Sequence, residues 1–453
     1  MSSAFELITE ANRAGAIERL QARIKEQPDF SDIRLAEMLG RFSLMTDLAQ
    51  KALAEGKLSQ EQKVELASWL AESDRENIAL DWLSAGPLQD ITEPNKSFLF
   101  ATLLMLKGDK EASISAFERV LKVVPDHPDC WLGIVKQDTS IDGPKILAAL
   151  KESVKGSKVP TRMLFAIGKA FENGGDLTSA AKYYRAGGNA LNLTYDPAVE
   201  ARLISDIRLA PVRSLGTKDT QFADPIFVVS FPRSGSTFVT DYLSRCEGVA
   251  GSGELDTLAK SFVGSGINFK DAAVGNVELC EQRLLALREN YGEINADRFG
   301  KHGVVVDKSI SNARLMPLLV QLFPRSKFVF LTREIEASMW SCFGECFSTG
   351  LDWSFRQDWL GSYFKVETRY RKQLMEKYSD RIIEVDFTTF VRSESDRQAL
   401  LERLNLKIGV TSNNRAIRTA SVAQIRDKDF VYDTSTLPKK RDLMAEALAI
   451  FAQ

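Results

Sequence analysis

The sequence predicts two unlike halves: an all-α N-terminal domain of helical repeats over 1–210, and a C-terminal α/β domain with a central parallel sheet over 225–453. Three observations predict this division. The chain has 453 residues, more than one hydrophobic core comfortably fills. Through about residue 210 the apolar periodicity is helical almost throughout; beyond it, short wholly apolar β-rich runs alternate with amphipathic stretches. Between the two regimes, 211–224 (PVRSLGTKDTQFAD) is polar, contains Pro and Gly, and lacks periodicity, as a linker does.

Composition narrows the function classes. Hydrophobic residues at 44% and charged residues at 26% are ordinary for a globular protein, which excludes disordered and collagen-like chains. No uninterrupted apolar stretch reaches the ~18 residues of a membrane span. The start, MSSAFELITEANRAG, has no apolar core before a small-residue cleavage site and does not read as a signal peptide. The five cysteines (130, 246, 280, 342, 346) are odd in number and form no C-x-x-C pair, so reduced thiols and a cytoplasmic location are expected. With only His127 and His302 present, a zinc cluster or a serine–histidine triad has almost nothing to use, and no metal is expected. A net charge of −2 argues against a nucleic-acid partner. Residues 1–210 carry 26 basic and 30 acidic residues against 33 and 31 in the remainder, so any anion site must be local.

Within the helical half, prolines at 28, 94, 125 and 160 are separated by 66, 31 and 35 residues, near two, one and one units of a ~34-residue helix–turn–helix repeat. In 165–187 (FAIGKAFENGGDLTSAAKYYRAG), Gly168 is followed by Phe171, Ala180 and Tyr184. Small residues let the paired helices approach and aromatics fill the space between them. Leu104, Gly108, Phe117 and Pro125 repeat the pattern in 101–125. These units resemble tetratricopeptide repeats, with an irregular helical bundle as the alternative. The half carries no recognisable chemistry of its own and reads as a docking or packing module.

In the second half, PIFVVSF (225–231), GVVVD (303–307), SKFVFLT (326–332) and RIIEVDF (381–387) read as strands. Apolar strands alternating with helices indicate a parallel sheet covered on both faces, and ligands of such sheets sit beyond the strands' carboxyl ends. The first strand runs into Phe231-Pro232-Arg233-Ser234-Gly235-Ser236-Thr237, then a helix from Phe238. Glycine and small hydroxyl residues let the backbone turn its N–H groups inward, a helix N-terminus adds partial positive charge, and Arg233 adds a full one. This is an anion cradle, but not a Walker loop, because no lysine follows the glycine. After the 326–332 strand come Arg333 and a helix through Ser338 and Ser341, a second pair able to grip a phosphate if the helix folds over the same edge. Cys342 and Cys346, four apart on that helix, read as core packing. Trp353, Phe355 and Trp359 read either as core or as the edge of an acceptor pocket.

The segments PIFVVSFPRSGSTF, GSGELDTL, VVVDKSISN, FPRSKFVFLTREIEASMWSCF and RTASVAQIRDKDFVYDTS resemble the sulfotransferase superfamily over roughly 222–440. With the helical repeats ahead of them, they are similar in particular to the tetratricopeptide-repeat sulfotransferases and the related tyrosylprotein sulfotransferases. The resemblance implies a P-loop-NTPase-like sheet and a nucleotide donor, 3′-phosphoadenosine 5′-phosphosulfate (PAPS), with 3′,5′-adenosine bisphosphate (PAP) as product. Arg233, Ser234, Gly235, Ser236 and Thr237 would hold the 5′-phosphosulfate, and Arg333 with Ser341 the 3′-phosphate. Glu254 matches the family's general base and Lys308 the lysine that stabilises charge on the leaving phosphate. Ser421 lies where a serine supports the transferred group, with Arg418 beside it. Phe387-Thr388 stands where the family often has Tyr-Glu, removing a hydroxyl contact there, and Ser435–Lys439 replaces a Gly-Arg-Trp stretch.

The chemistry is consistent with these residue types. Sulfuryl transfer involves less negative charge than phosphoryl transfer, so donors and a cation can serve without magnesium. A hydroxyl acceptor needs a base, and Glu254, the only acid in GVAGSGEL among small and apolar residues, is expected to be desolvated. The candidate acceptors are tyrosine in a peptide or protein and small molecules such as a phenolic metabolite, a sugar or a lipid headgroup, with the repeat half either recruiting the acceptor or making a homodimer. A nucleotide kinase on a related sheet and a non-catalytic repeat scaffold are the rival readings.

Overall fold

The computed structural model describes residues 10–84, 94–153, 159–207, 209, 222–251, 254–265, 267, 281–300, 303–347, 350–409, 432 and 434–453. From Glu10–Arg23 to Pro197–Ser205 the described chain is helical. Most of the 211–224 segment lies outside the described residues.

The helices begin where the sequence supplies caps. Asp29 and Ser59 form capping boxes with Asp32 and Gln62, and Asp109 and Asp176 accept from the N–H groups of Ala112 and Ser179. Adjacent helices Met163–Asn173 and Leu177–Ala190 pack closely because Gly168 faces Tyr184: a Cβ there would stand 2.5 Å from the Tyr184 ring. Gly133 serves the same purpose against Phe117, where a Cβ would stand 2.7 Å from the ring. The helices before Lys107 build a core of their own around Leu39, Leu48, Leu66 and Leu70.

Among the described residues, the second half holds a parallel sheet of five strands: β1 (Ile226–Ser230), β2 (Val249–Ala250), β3 (Val304–Lys308), β4 (Lys327–Thr332) and β5 (Ile382–Asp386), in the order β2-β3-β1-β4-β5. The four longer strands fall on the four apolar runs read from the sequence. β2, two residues long, is too short to show a period. The central strand β1 is buried along its whole length, as its apolar sequence requires. Its neighbours β3 and β4 lie on opposite sides, so the chain reverses its strand order at the end of β1.

The two halves do not merely touch. One hydrophobic cluster joins Val135, Phe165 and Tyr184 of the helical half to Met339, Trp340, Phe343, Phe355 and Phe364. Polar clamps accompany it. Arg298, whose side chain is fully buried, donates to the Glu72 carbonyl at 3.1 Å and pairs with Asp256, while Lys260 pairs with Glu37. The aromatic ring of Phe42 sits under Arg298 at 4.6 Å.

Candidate active site

The segment 231–237 leaves β1 and turns at once. Arg233 and Gly235 both adopt left-handed backbone, with φ of 64° and 91°. Such a conformation costs about 1–3 kcal/mol for a non-glycine residue and persists where surrounding structure enforces it. Gly235 also has no room for a side chain, since a Cβ would collide with the Phe387 ring. The helix Ser236–Leu243 starts directly on Gly235, which uses no side-chain cap. Ser234, Ser236 and Thr237 are all buried beside it. The result is the tight, hydroxyl-rich loop at a helix N-terminus that the sequence indicates.

Adjacency of β1 and β4 carries Arg333 to the same place. Its Nη1 donates to the Arg233 carbonyl at 2.8 Å, and its Nε donates to the Tyr432 hydroxyl at 2.9 Å. The helix Ile335–Phe343 then lies across the first loop: Ser338 Oγ is 3.2 Å from Ser234 Oγ, and Ser341 Oγ accepts from Arg233 Nε at 3.0 Å. Arg333 and Ser341 are therefore gathered through Arg233, and the folding-back that the sequence required is present.

Arg333 is held on three sides. Its guanidinium lies 4.5 Å from the Tyr432 ring and 5.3 Å from the Phe387 ring. Tyr432 in turn donates to Glu334, which also accepts from Thr388. Burial would raise the Glu334 carboxyl, but these two hydroxyls outweigh it and hold it below its ordinary value. Phe387 thus gives no hydroxyl, as its sequence position implies, yet a tyrosine from elsewhere in the chain places one beside the same arginine.

Lys308 ends β3 with a buried side chain and donates from Nζ to Glu254 Oε1 at 2.6 Å. The two residues that the family resemblance assigns to base and cation are a direct ion pair. One expectation needs correction. The Glu254 side chain is 51% exposed, so it is not desolvated. Its neighbours in sequence are small and apolar, but in space its carboxylate meets the Lys308 ammonium and solvent. Ser421 and Arg418 lie outside the described residues.

Several partners carry no signal in the sequence. Glu345 is buried just after the Ser341 helix, 3.7 Å from Arg233 Nη1 and 2.6 Å from Lys136 Nζ of the helical half. Burial opposes its charge, but Lys136 and Arg233 prevail and keep its carboxyl low. Tyr432, Glu334 and Glu345 are brought in by tertiary contacts across 98 to 209 positions, which no local pattern encodes. Cys342 and Cys346 are buried, their thiols pushed up by burial to about 12 and about 11, in keeping with packing rather than chemistry. Trp353 and Phe355 are buried in the core, where Trp353 stacks on Tyr363 at 3.8 Å. Trp359 and Phe355 border a cleft of about 520 Å³ between Arg185 and Asn189 of the helical half and Arg356 of the second half. Among the described residues no cluster of three or more acidic, histidine or cysteine side chains could hold a metal, and no helix is long and apolar enough to cross a membrane.

Residues 225–409, which hold the loop, both arginines and the Lys308–Glu254 pair, match the model of the sulfotransferase family. A protein of Aquifex aeolicus described as uncharacterized is 24% identical over 218 residues, 45% of this chain; the chain spans 29% of that relative's length. Among solved structures, the sulfotransferase domain of the Synechococcus PCC 7002 olefin synthase is 18% identical, with a TM-score of 0.34 over 52% of this chain and 98% of that one. A sulfotransferase from Mycobacterium avium is 11% identical, with a TM-score of 0.31 over 69% of this chain and 97% of that one.

Proposed function

We propose that this chain is a PAPS-dependent sulfotransferase that moves a sulfuryl group to an acceptor hydroxyl. The observation that carries the reading is the gathering, at the carboxyl ends of β1, β3 and β4, of an anion loop, a second arginine with a serine, and a Lys–Glu pair. Arg233 to Thr237 would receive the 5′-phosphosulfate, and Arg333 with Ser341 the 3′-phosphate. Their donors are fixed before the ligand arrives, which is how electrostatic stabilisation is made effective.

The transfer is in line. Glu254 takes the proton of the acceptor hydroxyl as its oxygen bonds to sulfur, while the bond from sulfur to the bridging oxygen of the 5′-phosphate breaks and 3′,5′-adenosine bisphosphate leaves. Lys308 stabilises the negative charge that accumulates on that bridging oxygen, and Ser421 and Arg418 support the transferred group and the nucleotide. Lys308 and Glu254 hold each other in place as an ion pair; on this reading the donor draws the lysine to the bridging oxygen and leaves the carboxylate to the acceptor. No metal is needed. The exposure of Glu254 suits an acceptor that presents its hydroxyl from solvent, such as a peptide tyrosine or a phenolic small molecule.

The helical region, read as a tetratricopeptide-like domain over 1–210 with a linker to 224 and the catalytic domain from 225, would recruit that acceptor or pair with a second copy. Buried unpaired cysteines at 130, 246, 342 and 346 suit a reducing, cytoplasmic setting. A nucleotide kinase fits less well, because no loop lysine follows Gly235. The test is transfer of labelled sulfate from PAPS to a panel of phenols and tyrosine peptides. Glu254→Gln is expected to lower kcat by about 10²–10⁴-fold, the usual scale of a lost general base. Full activity in that variant would remove Glu254 from the mechanism.

A further inference from the structure

A buried carboxylate beside an anion cradle is out of place electrostatically, and Glu345 is one. Only 6% of the residue is exposed, and its Oε2 lies 3.7 Å from Nη1 of Arg233, the arginine that the donor-binding reading assigns to the phosphosulfate. Left to itself it would hold the guanidinium and repel the ligand. Its other oxygen, Oε1, accepts from Lys136 Nζ at 2.6 Å. Lys136 belongs to the helix Pro128–Gln137, within the half that shows no chemistry in its sequence.

We infer that Lys136 of the helical half is a positioning residue for the donor site: it occupies Glu345, so that Arg233 is oriented by Ser341 rather than drawn onto the carboxylate. The inference rests on the donor-site reading above and adds to it a contribution from outside the matched family segment, 225–409. The charge count decides the direction. Lys136, Glu345 and Arg233 together carry one net positive charge; without Lys136 the sum is zero, and Arg233, at 3.7 Å, becomes the nearest cation to a buried carboxylate on which Lys169 acts from further away. The geometry shows the division of labour. Glu345 is closer to Lys136 than to Arg233, 2.6 Å against 3.7 Å, while Arg233 Nε makes its 3.0 Å bond to Ser341.

The backbone reinforces this arrangement. Arg233 is held in left-handed conformation with its carbonyl gripped by Arg333, so its side chain leaves the loop in one fixed direction. Glu345 follows the end of the helix that carries Ser338 and Ser341, with its N–H bonded to the Cys342 carbonyl at 3.2 Å. Neither side chain can move far from the other, so the lysine decides how tightly they interact.

The experiment is calorimetric titration of the full chain with 3′,5′-adenosine bisphosphate in four forms: unmodified, Lys136→Met, Glu345→Gln, and the two combined. Lys136→Met is expected to weaken binding about tenfold or more. Adding Glu345→Gln should return affinity to within about threefold of the Glu345→Gln form, because the carboxylate that needed neutralising is gone. A merely structural role for Lys136 would not be rescued by removing a charge elsewhere. Unchanged binding in Lys136→Met, or a combined variant no tighter than Lys136→Met, overturns the inference while leaving the donor site intact. Absence of bisphosphate binding in the unmodified chain overturns the donor reading and this inference with it. If Lys136→Met does not fold, Lys136→Gln replaces it with the same expected loss and rescue; Lys136→Arg should bind as the unmodified chain does, and a tenfold loss there would also count against the inference.

Discussion

At the scale of single residues, charge in fixed positions governs what the site can do. Arg333 is locked by Tyr432, Phe387 and the Arg233 carbonyl, so its loss cannot be compensated by a neighbour reorienting. Arg333→Ala is expected to abolish the preference for 3′,5′-adenosine bisphosphate over 5′-AMP, readable in competition binding; an unchanged preference would place the 3′-phosphate elsewhere. Beside Lys308, Asp307 is fully buried and bonded by the Tyr291 hydroxyl and the Asn312 amide. Burial dominates those bonds and pushes its carboxyl up to about 6. Between the ordinary value near 3.9 and about 6, the folded chain keeps a proton that the unfolded chain has lost. Stability therefore falls as pH rises through that window, by on the order of 1.4 kcal/mol per unit. Denaturant unfolding from pH 4 to 7 should show that this component of the decline is missing in Asp307→Asn. Equal slopes in the two proteins would contradict the burial argument.

At the scale of elements, the legible features were those written in local sequence. The runs at 226–230, 304–308, 327–332 and 382–386 are rich in β-branched and aromatic residues and form strands; the first three are buried but for end residues, whereas the edge strand 382–386 is buried only at Ile382 and Ile383. The Arg-Ser-Gly-Ser-Thr loop announced its turn through glycine and hydroxyl residues. What could not be read was which side chains face one another across the fold. Glu254 looked desolvated because its sequence neighbours are small and apolar, yet burial is decided by neighbours in space. Glu172 is a second example: it accepts from Trp340 Nε1 at 2.8 Å and from the Tyr184 hydroxyl at 2.9 Å, joining the helix Met163–Asn173 to the helix that carries Ser341. Burial would raise its carboxyl, but Lys169 and the Trp340 N–H outweigh it and lower it to about 2. Its contribution is complete above the ordinary carboxylate range and is lost as pH falls towards 2. Glu172→Ala is expected to cost about 2–4 kcal/mol at neutral pH, less at pH 3, measured by chemical unfolding. A neutral-pH loss under ~0.5 kcal/mol would mean that this junction does not secure the helix.

At the scale of the whole molecule, the division at about residue 210 marks a change of secondary structure more than a break in packing. Val135, Phe165 and Tyr184 share a core with Trp340, Phe343 and Phe364, and Ile204 and Ile207 pack into the cluster under the sheet with Phe227 and Leu319. A fragment of 222–453 would expose those faces to water. It is expected to lack a cooperative thermal transition, whereas a soluble fragment with a sharp transition would show that the helical half is dispensable for folding. The same intimacy lets Lys136 reach the donor loop.

The central claim, that this fold binds a nucleotide carrying both 5′- and 3′-phosphates for sulfuryl transfer, is tested most directly by titrating the full chain with 3′,5′-adenosine bisphosphate, 5′-AMP, and ATP with magnesium. Tightest binding of the bisphosphate is the predicted result. Preference for ATP, or no binding of the bisphosphate, would contradict it.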